Sequence, residues 1–246
     1  MKTKLFFFII LLCNFAATAQ TYNPEGKTGQ EALLQKQLAE VQSFFKTAEE
    51  NDANVDRYAY NRYEGSPYLD KEFQTGSLIK KDSSIFDNLK LRYNIYNDRV
   101  EFLKKDIIKI VPSRNFTSKV IIGEKTFKLS QYLIKGHPKF GYLEQLTQGD
   151  CCLYYRHKVS LNPAVQGNAY QEPKPAKFVN AKGMFFIQLK DEPIMQITKK
   201  KHLIVQLSNN NNDIQKFYKK EKINIKMKED FIKLVQYYNE LNESSK

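Results

Sequence analysis

From residue 76 to residue 197 the apolar side chains recur at every second position, a period that puts them on one face only if the backbone is extended. This stretch must therefore build sheet, and its strands need partners. The clearest unit is LKLRYNIY-ND-RVEFL, residues 89–103, where Asn97 and Asp98 tolerate the positive φ of a two-residue hairpin turn. Counting outward pairs Ile95 with Val100 and Tyr93 with Phe102 on an apolar face, and Tyr96 with Arg99 and Asn94 with Glu101 on a polar one. That alternation suits an antiparallel sheet with one solvated side.

The same pattern continues in VIIGEKTFKL, where Gly123 opens a tight turn, and in FGYLEQLTQGDCCLYYRHKVSL, where Gln148, Gly149 and Asp150 separate two alternating runs. GMFFIQLKDEPIMQI turns around Asp191 and Glu192. On the order of nine or ten short strands with close connections predict a sheet that curls into a barrel or folds into a sandwich. Between two of them NPAVQGNAYQEPKPAK, rich in Pro, Gly and Asn, reads as a long surface loop.

Helical spacing brackets the sheet. Leu34, Leu38, Val41, Phe45 and Ala48 step by four and three along one stripe of a helix over residues 30–51, which packs on the protein's own core or pairs with a second copy in a homodimer. Beyond residue 197, Leu203, Ile204 and Leu207, then Ile214, Phe217 and Tyr218, then Phe231, Leu234, Val235, Tyr238 and Leu241 mark three more helices. The expected fold is α+β: a mainly antiparallel barrel-like or sandwich sheet with an N-terminal helix and a helical C-terminal tail. Its divisions are a leader at 1–19, a lead-in and helix at 20–75, the β domain at 76–197 and the tail at 198–246.

The leader has the form of a cleavable secretory signal: Lys2 and Lys4, an apolar run from Leu5 to Leu12, and Ala17-Thr18-Ala19 as small residues before the cut. The run is far short of the roughly 20 residues a membrane-spanning helix needs. Export to the periplasm or beyond the cell is the expectation, with Cys13 discarded and no transmembrane segment afterwards. Roughly 225 residues then remain, enough to bury a core without disulfide staples. Cys151 and Cys152 are adjacent and would pair only through a strained vicinal bond, so two separate thiols are expected.

The formal charge of +12, about +10 once Lys2 and Lys4 leave with the leader, favours an anionic partner such as an envelope glycolipid or polysaccharide, with another envelope protein as the alternative, although lysines spread over a surface also serve solubility. Nucleic acid is not an expected partner of an exported chain. Three segments, EGSPYLDKEF at 64–73, LRYNIYNDRVEF at 91–102 and DFIKLVQYYNEL at 230–241, resemble in order and spacing an uncharacterised family of secreted proteins from Bacteroidota. The resemblance implies an exported protein of a Gram-negative bacterium with a sheet-rich middle and a helical tail. It implies no catalytic residues.

Chemistry is sparsely marked. His137, His157 and His202 stand apart and form no HExxH, so no metal or cofactor site is predicted; His157, on a strand, reads as a hydrogen-bonded, partly buried ring. GxSxG and Gly-rich phosphate loops are missing. Asp70, Glu72, Asp98 and Glu101 lie near the distinctive segments, with turn and strand-face roles as the default. The best recognition patch is aromatic and basic: Arg92, Asn94, Tyr96 and Arg99 on the hairpin, with Tyr154 and Arg156 on a later strand, although Tyr is also favoured in strands for its own sake. Lysines 216, 219, 220, 222, 226 and 228 read as a solvated helix face that could meet anionic head groups. The expected role is non-enzymatic binding or structure in the cell envelope, with a hydrolase working through carboxylates in a sheet cleft as the alternative.

Overall fold

The alternating stretch does become sheet. The computed structural model describes residues 39, 46 and 63–243, apart from 105, 113–116, 168, 169, 171 and 209–211. The chain divides into two compact units, Met1–Ser43 and Phe44–Lys246, and every element named below belongs to the second. The leader and the Leu34-to-Ala48 stripe lie outside the described residues, as does the side chain of His202.

Ten strands form one sheet: β1 (Gln74–Lys80), β2 (Ile85–Asn94), β3 (Arg99–Lys104), β4 (Ile107–Ile110), β5 (Thr117–Ile122), β6 (Lys125–Ile134), β7 (His137–Gln145), β8 (Cys151–Asn162), β9 (Lys177–Leu189) and β10 (Ile194–Gln196). Their order is β10-β9-β8-β7-β6-β5-β1-β2-β3-β4, and all neighbours in it run antiparallel. The sheet closes because β10 also pairs, in parallel, with β6 at Ile194–Tyr132 and Met195–Leu133. A barrel of β6 to β10 results, extended by the other five strands. Three helices, α1 (Lys200–Ser208), α2 (Asn212–Lys220) and α3 (Lys228–Glu243), complete the α+β architecture. No helix among the described residues is long and apolar enough to cross a membrane.

Both faces of the central strands are buried, and the pleat sorts their side chains into different cores. Tyr132, Leu143, Tyr154, Phe186 and Ile194 fill the barrel. Phe127, Leu129 and Tyr142 point from the opposite face of β6 and β7 into a larger core with Leu78, Leu91, Tyr93, Val100 and Phe102. A third core joins Cys151, Leu153 and Ile187 to Phe231, Leu234 and Val235 of α3. Full burial of a side chain such as Phe127 or Phe231 stabilises the fold by roughly 2–3 kcal/mol. Between β8 and β9 the register slips between Arg156 and Lys158, so one residue, His157, opposes Lys182 and Gly183. This bulge turns β9 over: Phe186 faces the barrel, but Phe178, eight residues away and so on the same face of a regular strand, packs in the larger core.

The β2–β3 hairpin forms with a register different from the expected one. Tyr93 pairs with Val100 and Asn94 with Arg99, around a four-residue loop rather than a two-residue turn. Asn94 closes that loop by accepting the Asn97 amide at 3.1 Å, and Asp98 takes the left-handed conformation at φ 51°. The slip is of two residues, so each side chain keeps its expected face.

That loop has a structural task. β7 and β8 pair only at Glu144–Tyr155 and Gln145–Tyr154, and further along β7 the Asp98 carboxylate takes up the Tyr142 amide at 3.3 Å. Asp98 also accepts the Tyr93 hydroxyl at 2.7 Å and lies 3.8 Å from the Arg156 guanidinium. Only glycine fits at position 141, where a Cβ would overlap the Asp98 carboxylate. Burial pushes the Asp98 carboxyl above its usual range, despite the hydrogen bond from Tyr93 and the charge of Arg156. Asp98→Ala leaves the buried Tyr93 hydroxyl and the Tyr142 amide short of an acceptor. It is expected to cost about 2 kcal/mol, read as a lower urea midpoint with an unchanged slope; a change under about 0.5 kcal/mol would show that the loop tip is not held by this residue.

Candidate functional site

The bulge between β8 and β9 borders a concavity. Gly183 lacks a side chain, so the Tyr155 ring fits directly behind it and the Tyr155 hydroxyl accepts the Gly183 amide at 3.1 Å. In front lies an open cleft of about 630 Å³, bounded by residues 182–185 of β9, 196–198 at the end of β10, 224–226 between α2 and α3, and Phe231. Its apolar surface comes from Met184, Phe185, Ile197, Ile225 and Phe231. Lys182 and Lys226 are exposed at its margins, and no Asp or Glu is among its lining residues. Gln196 contributes a side-chain oxygen that is buried without a hydrogen-bond partner, while its amide nitrogen meets the Met184 sulfur at 3.3 Å.

The connection carrying Lys226 is held by its own hydrogen bonds. Asn224 donates its amide to Asp230 at 2.9 Å, accepts the Lys226 amide on its side chain at 3.1 Å, and accepts the Met227 amide on its carbonyl at 2.8 Å. An Asx turn of this kind fixes the backbone before any ligand arrives.

A buried ionic cluster lies behind the cleft. Glu144 of β7, 5% exposed, receives His157 Nε2 at 2.8 Å and Lys228 Nζ at 2.9 and 3.0 Å. Tyr155 is shared with the cleft wall: the His157 ring packs edge-on against it at 5.0 Å, and Lys228 Nζ stands 5.7 Å from its centroid. Burial favours the neutral acid, but the bonds from His157 and Lys228 and their charges outweigh it and hold the Glu144 carboxyl below its ordinary value of 4.5. His157 is thus the hydrogen-bonded, half-buried ring expected from the sequence.

The six recognition residues do not converge. Arg92 is clasped by the segment before β1: its guanidinium lies 3.7 Å from the Tyr68 ring centroid and 4.3 Å from that of Phe73, and it bonds Glu101 at 2.7 Å and the Lys71 carbonyl at 3.0 Å. Asn94 is buried and donates to Glu101 at 3.3 Å. The polar face of the hairpin is therefore covered by residues 63–73 rather than solvated, because Arg92 and Glu101 neutralise each other there. Tyr96 is exposed and packs edge-on to Phe178 at 5.2 Å, and Arg99 is exposed across the loop. Tyr154 is inside the barrel, bonding Gln188 at 3.1 Å, and Arg156 faces Asp98. Of the four singled-out carboxylates, Asp70 and Glu72 lie beside Arg92 around a cavity of only about 10 Å³.

Cys151 and Cys152 are free thiols on opposite faces of β8, the first buried against the helices with its thiol pushed up by burial. Ser77 and Lys80 show the Ser-x-x-Lys spacing, but on β1 Lys80 pairs with Asp82 at 2.9 Å. No group of three His, Cys, Asp or Glu among the described residues is placed to hold a metal ion. The cleft residues carried one sequence signal, Gly183 inside an alternating run, which marks a bulge or a close backbone approach. No family model, curated protein or solved structure matches the chain.

The Glu144 cluster predicts an acid-labile contact. Because its folded pKa is depressed, its stabilisation is present above pH 4.5 and is lost as pH falls through the folded value. Lys228→Met is expected to destabilise the protein by about 1–2 kcal/mol at pH 7, an amount discounted because Lys228 is 34% exposed, and to flatten the loss of stability below pH 4.5. Urea titrations at a series of pH values test this; parallel profiles for variant and wild type would contradict it.

Proposed function

We propose that the protein is an exported binding protein of the bacterial cell envelope, with the cleft between β9, the end of β10 and the α2–α3 connection as its ligand site. The observation that carries this reading is the cleft itself: concave, partly apolar, edged by lysines and held by structured backbone, as small-molecule sites are. Its volume lies inside the roughly 300–1,000 Å³ typical of such sites. The Lys2 and Lys4 leader with Ala17-Thr18-Ala19, together with the resemblance to secreted Bacteroidota proteins, supports export to the periplasm or the cell exterior. A net charge of +12 supports an anionic envelope component as the partner.

Ile225→Trp, which puts a larger side chain into the lining of the cleft, tests the reading. The full chain, purified as the cell processes it and incubated with envelope extract, is expected to retain a small molecule by native mass spectrometry, and the variant to lose it. Capture of nothing by the wild type, or equal capture by both, would overturn the assignment.

A second reading, a hydrolase of an envelope or extracellular polymer, is favoured by the 2.8 Å contact of His157 with Glu144, since a carboxylate orienting a histidine is part of many hydrolytic sites. It is the weaker reading because Lys228 occupies both Glu144 oxygens and neither residue lines the cleft. It requires that Glu144→Gln abolish turnover of labelled peptidoglycan by the purified protein, and absence of turnover in the wild type removes it.

A further inference from the structure

The cleft separates two kinds of chemistry, and their arrangement narrows what can occupy it. Its floor and back wall are aliphatic and aromatic: Met184 and Phe185 from β9, Ile197 after β10, Ile225 from the connection, and Phe231, fully buried at the back. Among its described lining residues the formal charges are two ammonium groups on different elements, Lys182 on β9 and Lys226 on the connection. No carboxylate is among the described lining residues, so the margin near the two ammonium groups is positive while Met184, Ile197 and Phe231 supply apolar surface. A molecule that satisfies both parts is an amphiphile with one anionic end.

The form of the anion follows from what the connection leaves free. Phosphate groups favour clustered backbone N–H donors at a turn or helix start. Here the amides of Asn224, Lys226 and Met227 are already committed to Asp230 and to Asn224, and the Phe231 amide donates to the Met227 carbonyl at 3.2 Å. The two lysines remain as point charges on flexible stems, and with those amides bonded elsewhere the connection offers no cluster of N–H donors that would favour a phosphate over a carboxylate. Because the connection is fixed by its Asx turn, little backbone entropy is lost when a ligand is held.

We propose that the cleft binds a single-chain carboxylate amphiphile, of the fatty-acid type, with its chain over Met184, Ile197 and Phe231 and its carboxylate between Lys182 and Lys226. This inference rests on the cleft being the ligand site. The unpartnered Gln196 oxygen is buried beside the chain path, so a chain bearing a hydroxyl or amide donor there would bind more tightly than an unsubstituted one.

Isothermal titration of the full chain, purified as the cell processes it, with dodecanoate and with dodecanol below their aggregation limits tests the proposal. Both lysines are exposed, so Lys182→Gln with Lys226→Gln does not disturb packing. That double variant is expected to bind dodecanoate about tenfold more weakly, the loss of two exposed ion pairs of up to ~1 kcal/mol each. Lys139→Gln with Lys174→Gln, which removes the same charge from exposed positions outside the cleft, is expected to leave binding unchanged. Dodecanol is expected to bind more weakly than dodecanoate and to be indifferent to either pair of substitutions. Equal binding of dodecanol and dodecanoate, or equal weakening by the two double variants, would overturn the carboxylate assignment. So would tighter binding of dodecyl phosphate than of dodecanoate, or no binding of dodecanoate at all. These outcomes leave the cleft as a ligand site intact if Ile225→Trp still abolishes capture from envelope extract; the broader reading fails only if that capture fails.

Discussion

One edge of β6 serves two partners, and the rest of the architecture depends on that division. Its first half, from Lys125 to Lys128, pairs with β5, and its second half, at Tyr132 and Leu133, pairs with β10. The sheet therefore leaves β6 in two directions from one side. Along β5 it continues to the β1–β4 extension, and along β10 it returns through β9 and β8 to close the barrel. Buried residues line both faces of β6 and β7, which is why Phe127 and Leu129 belong to one core and Tyr132 to another. Closure rests on two residue pairs, but it protects β10 on both edges, and a protected edge offers no template for unwanted pairing.

A sheet that serves two interiors must change faces somewhere, and its irregular pairings fall between β8 and β9 and between β7 and β8. The short pairing of β7 with β8 leaves β7 amides in need of other acceptors, and Asp98 supplies one from the tip of a distant hairpin. Further along, the bulge opposite His157 inverts β9, and the close packing of Gly183 on Tyr155 accommodates the extra residue. The Asp98 contact and the bulge answer the same demand, and both place polar side chains inside the protein. Asp98 with Tyr93 and Arg156, and Glu144 with His157 and Lys228, lie at these transitions.

Much of this was legible in local pattern. Period-two alternation located the strands, turn chemistry at Gly123 and around Gly149 located two of the connections, and the stripes of Ile214 and of Phe231 to Leu241 located helices α2 and α3. The faces of the β2–β3 hairpin were also correct, since a slip of two residues preserves them. What the pattern could not show was what lies over a polar face. Arg92, Asn94 and Glu101 alternate as a solvated edge would, but residues 63–73 cover them, and a buried Arg–Glu pair has the same local signature as an exposed one. The register itself depended on the Asn94 side chain capping the loop, a bond that competes with the backbone turn. The cleft was less legible still. Its lining is drawn from positions 182 to 231, and only their long-range arrangement makes it concave.

The ionic cluster and the cleft are best understood together. Lys228 is the first residue of α3 and follows Lys226 by two positions, so the bonds from Lys228 to Glu144 fix where the helix starts and therefore where the α2–α3 connection runs. From the other side, Tyr155 touches His157, stands near Lys228 and takes the Gly183 amide, which fixes the β9 wall. Both sides of the cleft are thus referred to one buried carboxylate. A buried ion pair is a poor source of net stability, because desolvation of its charges offsets most of their attraction. Its contribution is geometric: a carboxylate that must be satisfied from two directions allows fewer arrangements of β8 and α3 than an apolar contact of equal volume would. The backbone positions of Lys182 and Lys226, on the two sides of the cleft, inherit that restriction.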